Sequence, residues 1–251
     1  SVASAIVPDA SAELSDRLVD GLERVNARLD VVVDHDSPLV REASHHLVDA
    51  GGKRFRPMLT LLTSMLGTGI SDEVVDAAAG VELTHLASLY HDDVMDEADI
   101  RRGVPSANAV YGNSTAILIG DLLFGKASEL IAHLGPEAVI LQARTFVRLC
   151  AGQIEDERQT PDGADPMEYY LKVLADKTGV LIAAAAQYGA MFSGCDERTV
   201  GDAHLVMGLV ALSQTAQDGD GVFDRRLTNE DLLETTFQGW VFFNVLADSS
   251  G

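Results

Sequence analysis

The residues with the clearest potential for chemistry are three aspartates in the segment HDDVMDEADIRRG: Asp92, Asp93 and Asp96. On a helix, Asp92 and Asp96 lie one turn apart on the same face, and Asp93 lies about 100° around the axis. Carboxylates this close repel one another unless a cation compensates them. One or two carboxylates, with phosphates and water, are the usual ligands of Mg²⁺. The alternative is a solvated acidic helix face, because the whole chain is acidic.

Two clusters of basic residues lie near these aspartates in the sequence. Arg101 and Arg102 follow them directly, and the planar fork of a guanidinium binds phosphate oxygens two at a time. The second cluster, in GGKRFRP, contains Lys53, Arg54 and Arg56 at an expected helix start, where free backbone N–H groups attract anions. Alone, this second cluster could be a helix boundary with solvated charges. Because only 18 residues of the chain are basic, the two clusters indicate two phosphate sites, one bridged by metal and one held by cations.

A histidine precedes the aspartates on the same expected helix. His85 and Leu89 lie on the turns before Asp92 and Asp96, so one helix face changes from apolar to polar as it approaches the carboxylates. A single histidine in such a place is more often a hydrogen-bonded core residue than a ligand-binding one.

Composition limits the class of partner. Acidic residues outnumber basic ones 39 to 18 among 251 residues, for a formal charge of −21, which argues against a bulk nucleic-acid binder. The N-terminal segment SVASAIVPDASAEL has no basic region followed by an apolar run, and two cysteines cannot form a disulfide framework. We therefore expect a reduced, cytoplasmic compartment. No apolar stretch reaches the roughly 18 residues of a membrane span, so we expect no transmembrane segment.

Apolar residues recur every three or four positions almost throughout, which predicts an all-α protein. Glycine and proline punctuate the pattern at short breaks, so consecutive helices should pack as antiparallel neighbours around one core. We expect one domain over residues 1–251. The predicted helices cover residues 12–34, 38–49, 55–66, 72–97, 114–134, 137–157, 167–192 and 196–217.

These segments together resemble the trans-isoprenyl diphosphate synthases, the polyprenyl synthetase family. The match comprises GGKRFRP, then ELTHLASLYHDDVMDEADIRRG, GNSTAILIGDLLF, GQIEDE and YYLKVLADKTGVLIAAAAQYGAMFSG, over roughly residues 15–200. The resemblance implies an isoprenoid synthase-type helical bundle around a deep central cavity, usually as a homodimer.

The resemblance also implies roles for individual residues. Asp92 and Asp96, assisted by Asp93, look like the aspartate-rich motif that holds Mg²⁺ on an allylic diphosphate, and Arg101 and Lys177 resemble the cations that grip the same group. The expected isopentenyl diphosphate site comprises Lys53, Arg56, His85 and Arg102. The polar positions expected to line the cavity are Gln153 and Thr178.

The implied reaction is ionisation of the allylic diphosphate, attack of the isopentenyl double bond on the carbocation, and loss of a proton. Metal would stabilise the departing diphosphate, and a water-poor cavity would protect the cation. The resemblance places Ala87 and Ser88 where bulky aromatic residues stop chain growth early. Their small size favours a medium or long product; the less favoured alternative is that small residues here only allow close helix packing.

The C-terminal part departs from the family, and residues 201–251 are unassigned. Family members carry a second aspartate-rich motif after a Phe-Gln pair. Here Asp218, Asp220 and Asp224 have a different spacing, and no aspartate pair follows Phe237-Gln238. A shortened or rearranged chain, a sequence that omits segments, and a homologue that has lost half of its metal site all stay open. A catalytically impaired subunit that regulates a partner is therefore an alternative to the enzyme. A terpene cyclase also ionises allylic diphosphates, but it does not need GGKRFRP and His85.

Overall fold

The computed structural model describes residues 11–218, and the side chains of residues 11–208. In this part of the chain ten α-helices and one two-stranded hairpin follow one another. The helices are α1 (Ala12–Val33), α2 (Pro38–Asp49), α3 (Phe55–Ser64), α4 (Asp72–Met95), α5 (Ala107–Tyr111), α6 (Asn113–Ala132), α7 (Pro136–Asp156), α8 (Pro166–Leu174), α9 (Val180–Phe192) and α10 (Glu197–Asp218); the strands β1 (Ile100–Arg101) and β2 (Val104–Pro105) lie between α4 and α5. The all-α prediction is confirmed.

Local sequence explains where the helices begin. Ser71 caps α4 by accepting a hydrogen bond from the backbone N–H of Val74 at 3.3 Å, and two acidic residues follow in the first turn, where they complement the helix dipole. Ser11 caps α1 in the same way. Pro136 and Pro166 occupy the first positions of α7 and α8, where proline costs no hydrogen bond.

Helix α4 is the central element of the bundle. It is buried on nearly all sides from Val74 to Tyr90, as expected for a helix surrounded by others. It packs most extensively against α6 and also against α1, α3 and α9, while α9 packs against α3 and α10. The end of this helix therefore presents Asp92 and Asp96 on a rigid support.

A short β-hairpin follows α4, and the sequence analysis missed it. Ile100 pairs with Pro105 and Arg101 with Val104. The two turn residues, Arg102 and Gly103, have φ values of 53° and 79°, as a type I′ turn requires. Two-residue strands are too short to produce an alternating pattern, so periodicity could not reveal them.

The segment predicted as a helix over residues 167–192 is helical throughout, but it is not a regular α-helix. Residues Ala175–Gly179 form a π-helical turn between α8 and α9. The turn packs against Gly152 on α7, where an added Cβ would lie 2.6 Å from the backbone nitrogen of Lys177. The distortion is thus tied to a tertiary contact between two segments far apart in sequence. Such π-turns are frequent at functional sites.

The remaining predicted helices agree with the structure to within about two residues at each end, as is usual for helix boundaries. The predictions for Asp220, Asp224 and Phe237-Gln238 lie outside the described residues. The prediction of one domain over residues 1–251 also extends beyond them and stays a prediction. None of the described helices combines the length and hydrophobicity needed to cross a membrane.

Candidate diphosphate and metal site

Two of the three predicted aspartates are available for a ligand. The N–H of Asp96 donates to the carbonyl of Asp92 at 2.8 Å, which keeps the two residues one helical turn apart at the end of α4. Asp92 is half-buried and Asp96 exposed, and neither carboxylate has a hydrogen bond or ion pair within the described part of the chain. Burial raises the pKa of Asp92. The neighbouring carboxylates Asp96 and Asp93 raise this pKa further, whereas Lys177 and Arg101 lower it. The pair therefore has the charge and the free oxygens that a hard cation needs.

The third aspartate, Asp93, is paired with an arginine of the hairpin. Asp93 is fully buried, and its Oδ1 accepts the Nε–H of Arg101 at 2.5 Å, with Nη2 at the same distance. Its carbonyl accepts the N–H of Ala98 at 2.9 Å. Asp93 thus fastens the hairpin to the end of α4 through Oδ1, while its Oδ2 is buried without a hydrogen-bond partner. Arg101 is the residue it holds in place.

Among the described residues, one trio of side chains has possible metal-ligand atoms within 4.8 Å of one another, and it does not include Asp92 or Asp96. It consists of Asp30 on α1 with His45 and Asp49 on α2. Both carboxylates are exposed, and the sequence analysis did not single this trio out. Exposed acidic groups of this kind are common without a metal ion, so the trio gives no evidence of function.

The second cationic cluster surrounds His85. The guanidinium of Arg56, at the start of α3, has no hydrogen bond or ion pair within the described residues, and its Nε is buried without a partner. Burial lowers the pKa of Arg56. Glu82 raises this pKa, and Arg102 lowers it further. Lys53 is exposed. The predicted residues Arg56, His85 and Arg102 therefore lie near enough to act on one another electrostatically, and the guanidinium of Arg56 has no hydrogen bond or ion pair among the described residues.

Burial and the surrounding arginines both disfavour the charged form of His85. Burial lowers its pKa well below the ordinary value, and Arg56, Arg102, Arg101 and Arg54 lower it further. A neutral imidazole can donate one hydrogen bond and accept another. A diphosphate bound here would be held by guanidinium groups, with His85 as a neutral neighbour.

This environment predicts a pH dependence of stability. Below about pH 6.5 His85 becomes protonated in the unfolded chain but stays neutral in the folded one, because its pKa is lowered there. The free energy of unfolding therefore falls as the pH is lowered. Replacing His85 by glutamine should remove about 1–2 kcal/mol of this loss between pH 7 and pH 5. Urea denaturation of both proteins at several pH values measures the difference. Identical pH profiles would show that His85 titrates normally in the fold.

A single buried carboxylate lies among these cations, and the sequence analysis missed it. Glu82 on α4 is 2% exposed and pairs with Arg54 at 2.6 Å and with Arg102 at 3.7 Å. Its signal in the sequence was present: it is the one charged residue in the apolar run AAAGVELTHLASLY. A charge in such a run needs a buried partner.

The π-turn carries Lys177, a cation near Asp92. Its Nζ donates to Asp156 at 2.7 Å, while the neighbouring Asp176 pairs with Arg148 at 2.6 Å. Lys177 and Asp156 are 36% and 40% exposed, and an ion pair this exposed contributes little stability. Lys177 can therefore leave Asp156 for a ligand at small cost. Lys177 lies near enough to Asp92 to lower the pKa of that carboxyl group, against the larger effect of burial.

The two predicted polar positions lie in this turn and on the helix packed against it. Gln153 lies on α7 beside Gly152, and Thr178 lies in the π-turn itself; both are half-buried. Asp156, in the quoted segment GQIEDE, was not assigned a role from the sequence, although it holds Lys177.

The two positions expected to affect chain length differ in the structure. Ala87 is 1% exposed and belongs to the hydrophobic core. Ser88 is half-buried and lies one turn before Asp92 on the same helix face. Further along that face, Val81 and Thr84 line a small, partly open cavity between α4, α6, α7 and α9, which Tyr188 also lines.

Comparison with known proteins agrees with this architecture. The fold is that of the isoprenoid synthase-type helical bundles: a geranylgeranyl pyrophosphate synthase from Corynebacterium glutamicum, solved in complex with calcium and isoprenyl diphosphate, superposes with a TM-score of 0.75 at 40% identity, covering 83% of this chain and 64% of that one. The polyprenyl synthetase family profile matches residues 37–218. The chain belongs to the polyprenyl synthetase family.

Curated relatives give the same family. A nonaprenyl diphosphate synthase of Mycobacterium tuberculosis is 48% identical over 181 residues, which are 72% of this chain and 54% of that protein. Component 2 of a heptaprenyl diphosphate synthase from Geobacillus stearothermophilus is 40% identical over 184 residues, 73% of this chain and 58% of that protein. The chain thus spans little more than half the length of these relatives.

Proposed function

We propose that the protein is a Mg²⁺-dependent trans-prenyltransferase, which condenses isopentenyl diphosphate with an allylic diphosphate to a medium- or long-chain polyprenyl diphosphate. The observation that carries this proposal is a pair of carboxylates without partners, Asp92 and Asp96, followed in the chain by a hairpin that supplies Arg101 and Arg102. We assign one diphosphate to Asp92, Asp96 and Arg101, and the other to the cluster that contains Arg56, whose guanidinium has no hydrogen bond or ion pair among the described residues. The nonaprenyl diphosphate synthase relative supports both the reaction class and a long product.

The residues present fit a magnesium ion bound with a diphosphate. Asp92 and Asp96 would hold it, because both offer free carboxylate oxygens, whereas Asp93 is fully buried and its Oδ1 pairs with Arg101. When bound, Mg²⁺ supplies Lewis-acid stabilisation of the leaving diphosphate. The related synthase solved with calcium and isoprenyl diphosphate supports a divalent cation at such a site.

The cations of this chain would divide the two substrates between them. Arg101, oriented by Asp93, and Lys177, released from Asp156, would bind the allylic diphosphate. Lys53, Arg56, His85 and Arg102 would bind isopentenyl diphosphate. The allylic C–O bond breaks to give a carbocation and diphosphate, the isopentenyl double bond forms the new C–C bond, and a proton leaves. Gln153 and Thr178 would line the cavity near the reacting carbons.

A direct assay tests the proposal. The purified protein is incubated with labelled isopentenyl diphosphate, an allylic primer and Mg²⁺, and elongated products are separated by chain length. Product that disappears on chelation of Mg²⁺ and in Lys53→Ala supports the transferase. Product that persists in Lys53→Ala and without isopentenyl diphosphate would instead indicate a cyclase.

A regulatory subunit is the second candidate. The heptaprenyl diphosphate synthase relative is named as one component of an enzyme, which favours a chain that works with a different partner. Product that forms only after a second protein is added would support this candidate. Product from the protein alone would exclude it.

The product chain is expected to extend along the face of α4 that carries Asp92, Ser88 and Thr84. Ser88→Phe should shorten the product, because its ring would enter the path between Asp92 and the cavity. Ala87→Phe should instead lower the free energy of unfolding by about 1–3 kcal/mol, because it overpacks the core. Mass spectrometry of the products and thermal unfolding separate the effects. An unchanged product from a folded Ser88→Phe protein would remove this residue from the path.

We propose that the protein forms a homodimer through α7 and the adjacent part of α6. Five exposed residues follow a three-four spacing along α7, as in the seam of a helix pair: Ile140, Ala143, Val147, Cys150 and Ile154. Val147 and Ile154 are 66% and 63% exposed, and Leu118 on α6 is 65% exposed. An apolar seam of this length on a highly charged protein favours a second copy as its partner.

Val147→Glu should convert the dimer to a monomer, because it places charges from both copies in the seam. Leu205→Glu on α10 is the matched control, since Leu205 is 60% exposed and lies outside the seam. Light scattering coupled to size-exclusion chromatography gives the mass of each variant. A Val147→Glu protein that keeps the dimer mass would exclude this interface.

A further inference from the structure

Glu82 occupies a place that a charged side chain rarely occupies. It lies in the interior of α4 with 2% of its surface exposed, and its Oε1 accepts a hydrogen bond from Nη1 of Arg54 at 2.6 Å. Nη2 of Arg102 lies 3.7 Å from the same oxygen. One carboxylate oxygen therefore faces two guanidinium groups, one from the start of α3 and one from the hairpin.

Both guanidinium groups are also fastened to the end of α2. Arg54 donates to the carbonyl of Val48 at 2.9 Å, and Arg102 donates to the carbonyls of Leu47, at 3.1 Å, and Gly51. At Gly52 an added Cβ would lie 3.0 Å from Cζ of Arg102, so the backbone is close to the guanidinium there. Arg102 has five N–H donors, and these contacts leave some of them available for a ligand.

The backbone at the two arginines is held in an uncommon conformation. Arg54 and Arg102 have φ values of 47° and 53°, and they are two of the three described non-glycine residues with positive φ. Such conformations persist only where the surroundings fix them, and they concentrate at functional sites. The two strained positions share one carboxylate.

Charge explains why this carboxylate matters. Arg54, Arg56 and Arg102 lie around His85, and Arg101 is compensated separately by Asp93. Without Glu82, the guanidiniums of Arg54 and Arg102 would repel each other at close range in a buried setting. Arg102, at the tip of a two-residue turn, would be the freer of the two to move.

We propose that Glu82 is a positioning residue that holds Arg102 in the orientation in which it binds the diphosphate of isopentenyl diphosphate. This inference rests on the proposed function, because it assigns Arg102 to that substrate. Glu82 touches no substrate itself and acts through Arg102. The allylic diphosphate, held by Arg101 and Lys177, should be affected little.

Glu82→Gln tests the proposal, because it keeps the side-chain volume and removes the charge. Isothermal titration with isopentenyl diphosphate should show a dissociation constant raised by about tenfold or more. Titration with geranyl diphosphate and Mg²⁺ should change by less than about twofold. Equal weakening of both ligands in a folded protein, or no weakening of either, would overturn the inference.

A double-mutant cycle isolates the route through Arg102. In an Arg102→Gln background, adding Glu82→Gln should weaken isopentenyl diphosphate binding by less than about twofold more, because the residue through which Glu82 acts is already gone. Fully additive effects would show that Glu82 acts in another way. Should Glu82→Gln alone fail to fold, Glu82→Gln/Arg54→Met removes the repelling charge as well and should still bind isopentenyl diphosphate weakly; unaltered binding by this folded variant would overturn the inference.

Asp76→Asn is the matched control. Asp76 lies six residues before Glu82 on the same helix and pairs with Arg28 at 2.6 Å, far from the arginine cluster in sequence. Its loss should leave both dissociation constants unchanged. Binding can be measured without turnover, so the two proposals can be separated. If Glu82→Gln selectively weakens isopentenyl diphosphate binding but the unaltered protein is inactive, the role of Glu82 is supported and the proposed reaction is overturned. Absence of isopentenyl diphosphate binding by the unaltered protein would overturn both.

Discussion

Replacement of Asp92 by asparagine is expected to lower prenyl transfer by about 10²–10³-fold while leaving the fold at least as stable as before. The activity falls because one of the two free carboxylates that would hold Mg²⁺ is lost. Stability is kept because burial and two neighbouring carboxylates already disfavour the ionised form of Asp92 in the folded state. Steady-state kinetics over a range of Mg²⁺ concentrations and thermal unfolding measure the two effects.

Asp99→Asn is a suitable control, since Asp99 is an exposed carboxylate three residues after Asp96. It should keep both the rate and the Mg²⁺ dependence. Titration of Mg²⁺ in the presence of inorganic pyrophosphate gives a readout independent of turnover. If Asp92→Asn binds the metal as the unaltered protein does, the assignment of Asp92 as a ligand is wrong.

Arg56→Met should change function and stability in opposite directions. The Michaelis constant for isopentenyl diphosphate should rise by about 100-fold, because a charged hydrogen-bond donor to the diphosphate is lost. The free energy of unfolding should increase by about 1–3 kcal/mol, because the guanidinium has no partner among the described residues and its Nε is buried. Glu82 remains compensated by Arg54 and Arg102.

Arg28→Met provides the contrast for this prediction. Arg28 forms a two-pronged ion pair with Asp76, so its removal leaves a carboxylate without its partner and should lower stability. It should leave the Michaelis constants unchanged. Chemical denaturation of the two variants therefore distinguishes an arginine kept for ligand binding from one kept for structure. A loss of stability in Arg56→Met would indicate a structural role for that residue.

The sequence was sufficient to predict most of the helices, because each has a regular apolar face and a clear boundary residue such as Ser71 or Pro136. It was not sufficient for the π-turn at Ala175–Gly179, because the local pattern there is helical and the distortion accompanies a contact with Gly152. The hairpin was missed for a related reason, since its strands are only two residues long.

The candidate site shows the same division between local pattern and tertiary contact. The spacing of Asp92 and Asp96 fixes their shared face, and the structure keeps it. Asp93 differs because its surroundings depend on Arg101, which reaches it only through the fold of the hairpin. Glu82 could have been noticed as a lone charge in an apolar run, but its two partners come from segments that no local rule brings together.

The short hairpin also sets a register between the two halves of the site. Glu82 and Asp93 are eleven residues apart on α4, which corresponds to about 16 Å along the helix axis. Adjacent residues of the hairpin nevertheless reach them, Arg101 at one end and Arg102 at the other. Insertion of a single residue before Arg101 would move Arg101 to the place of Arg102 and Arg102 to the place of Gly103, so neither arginine would keep its anchor. The length of this loop therefore determines which arginine pairs with Asp93 and which lies beside Glu82. A change in that length would disrupt both ion pairs, as loss of one of the charges would disrupt one.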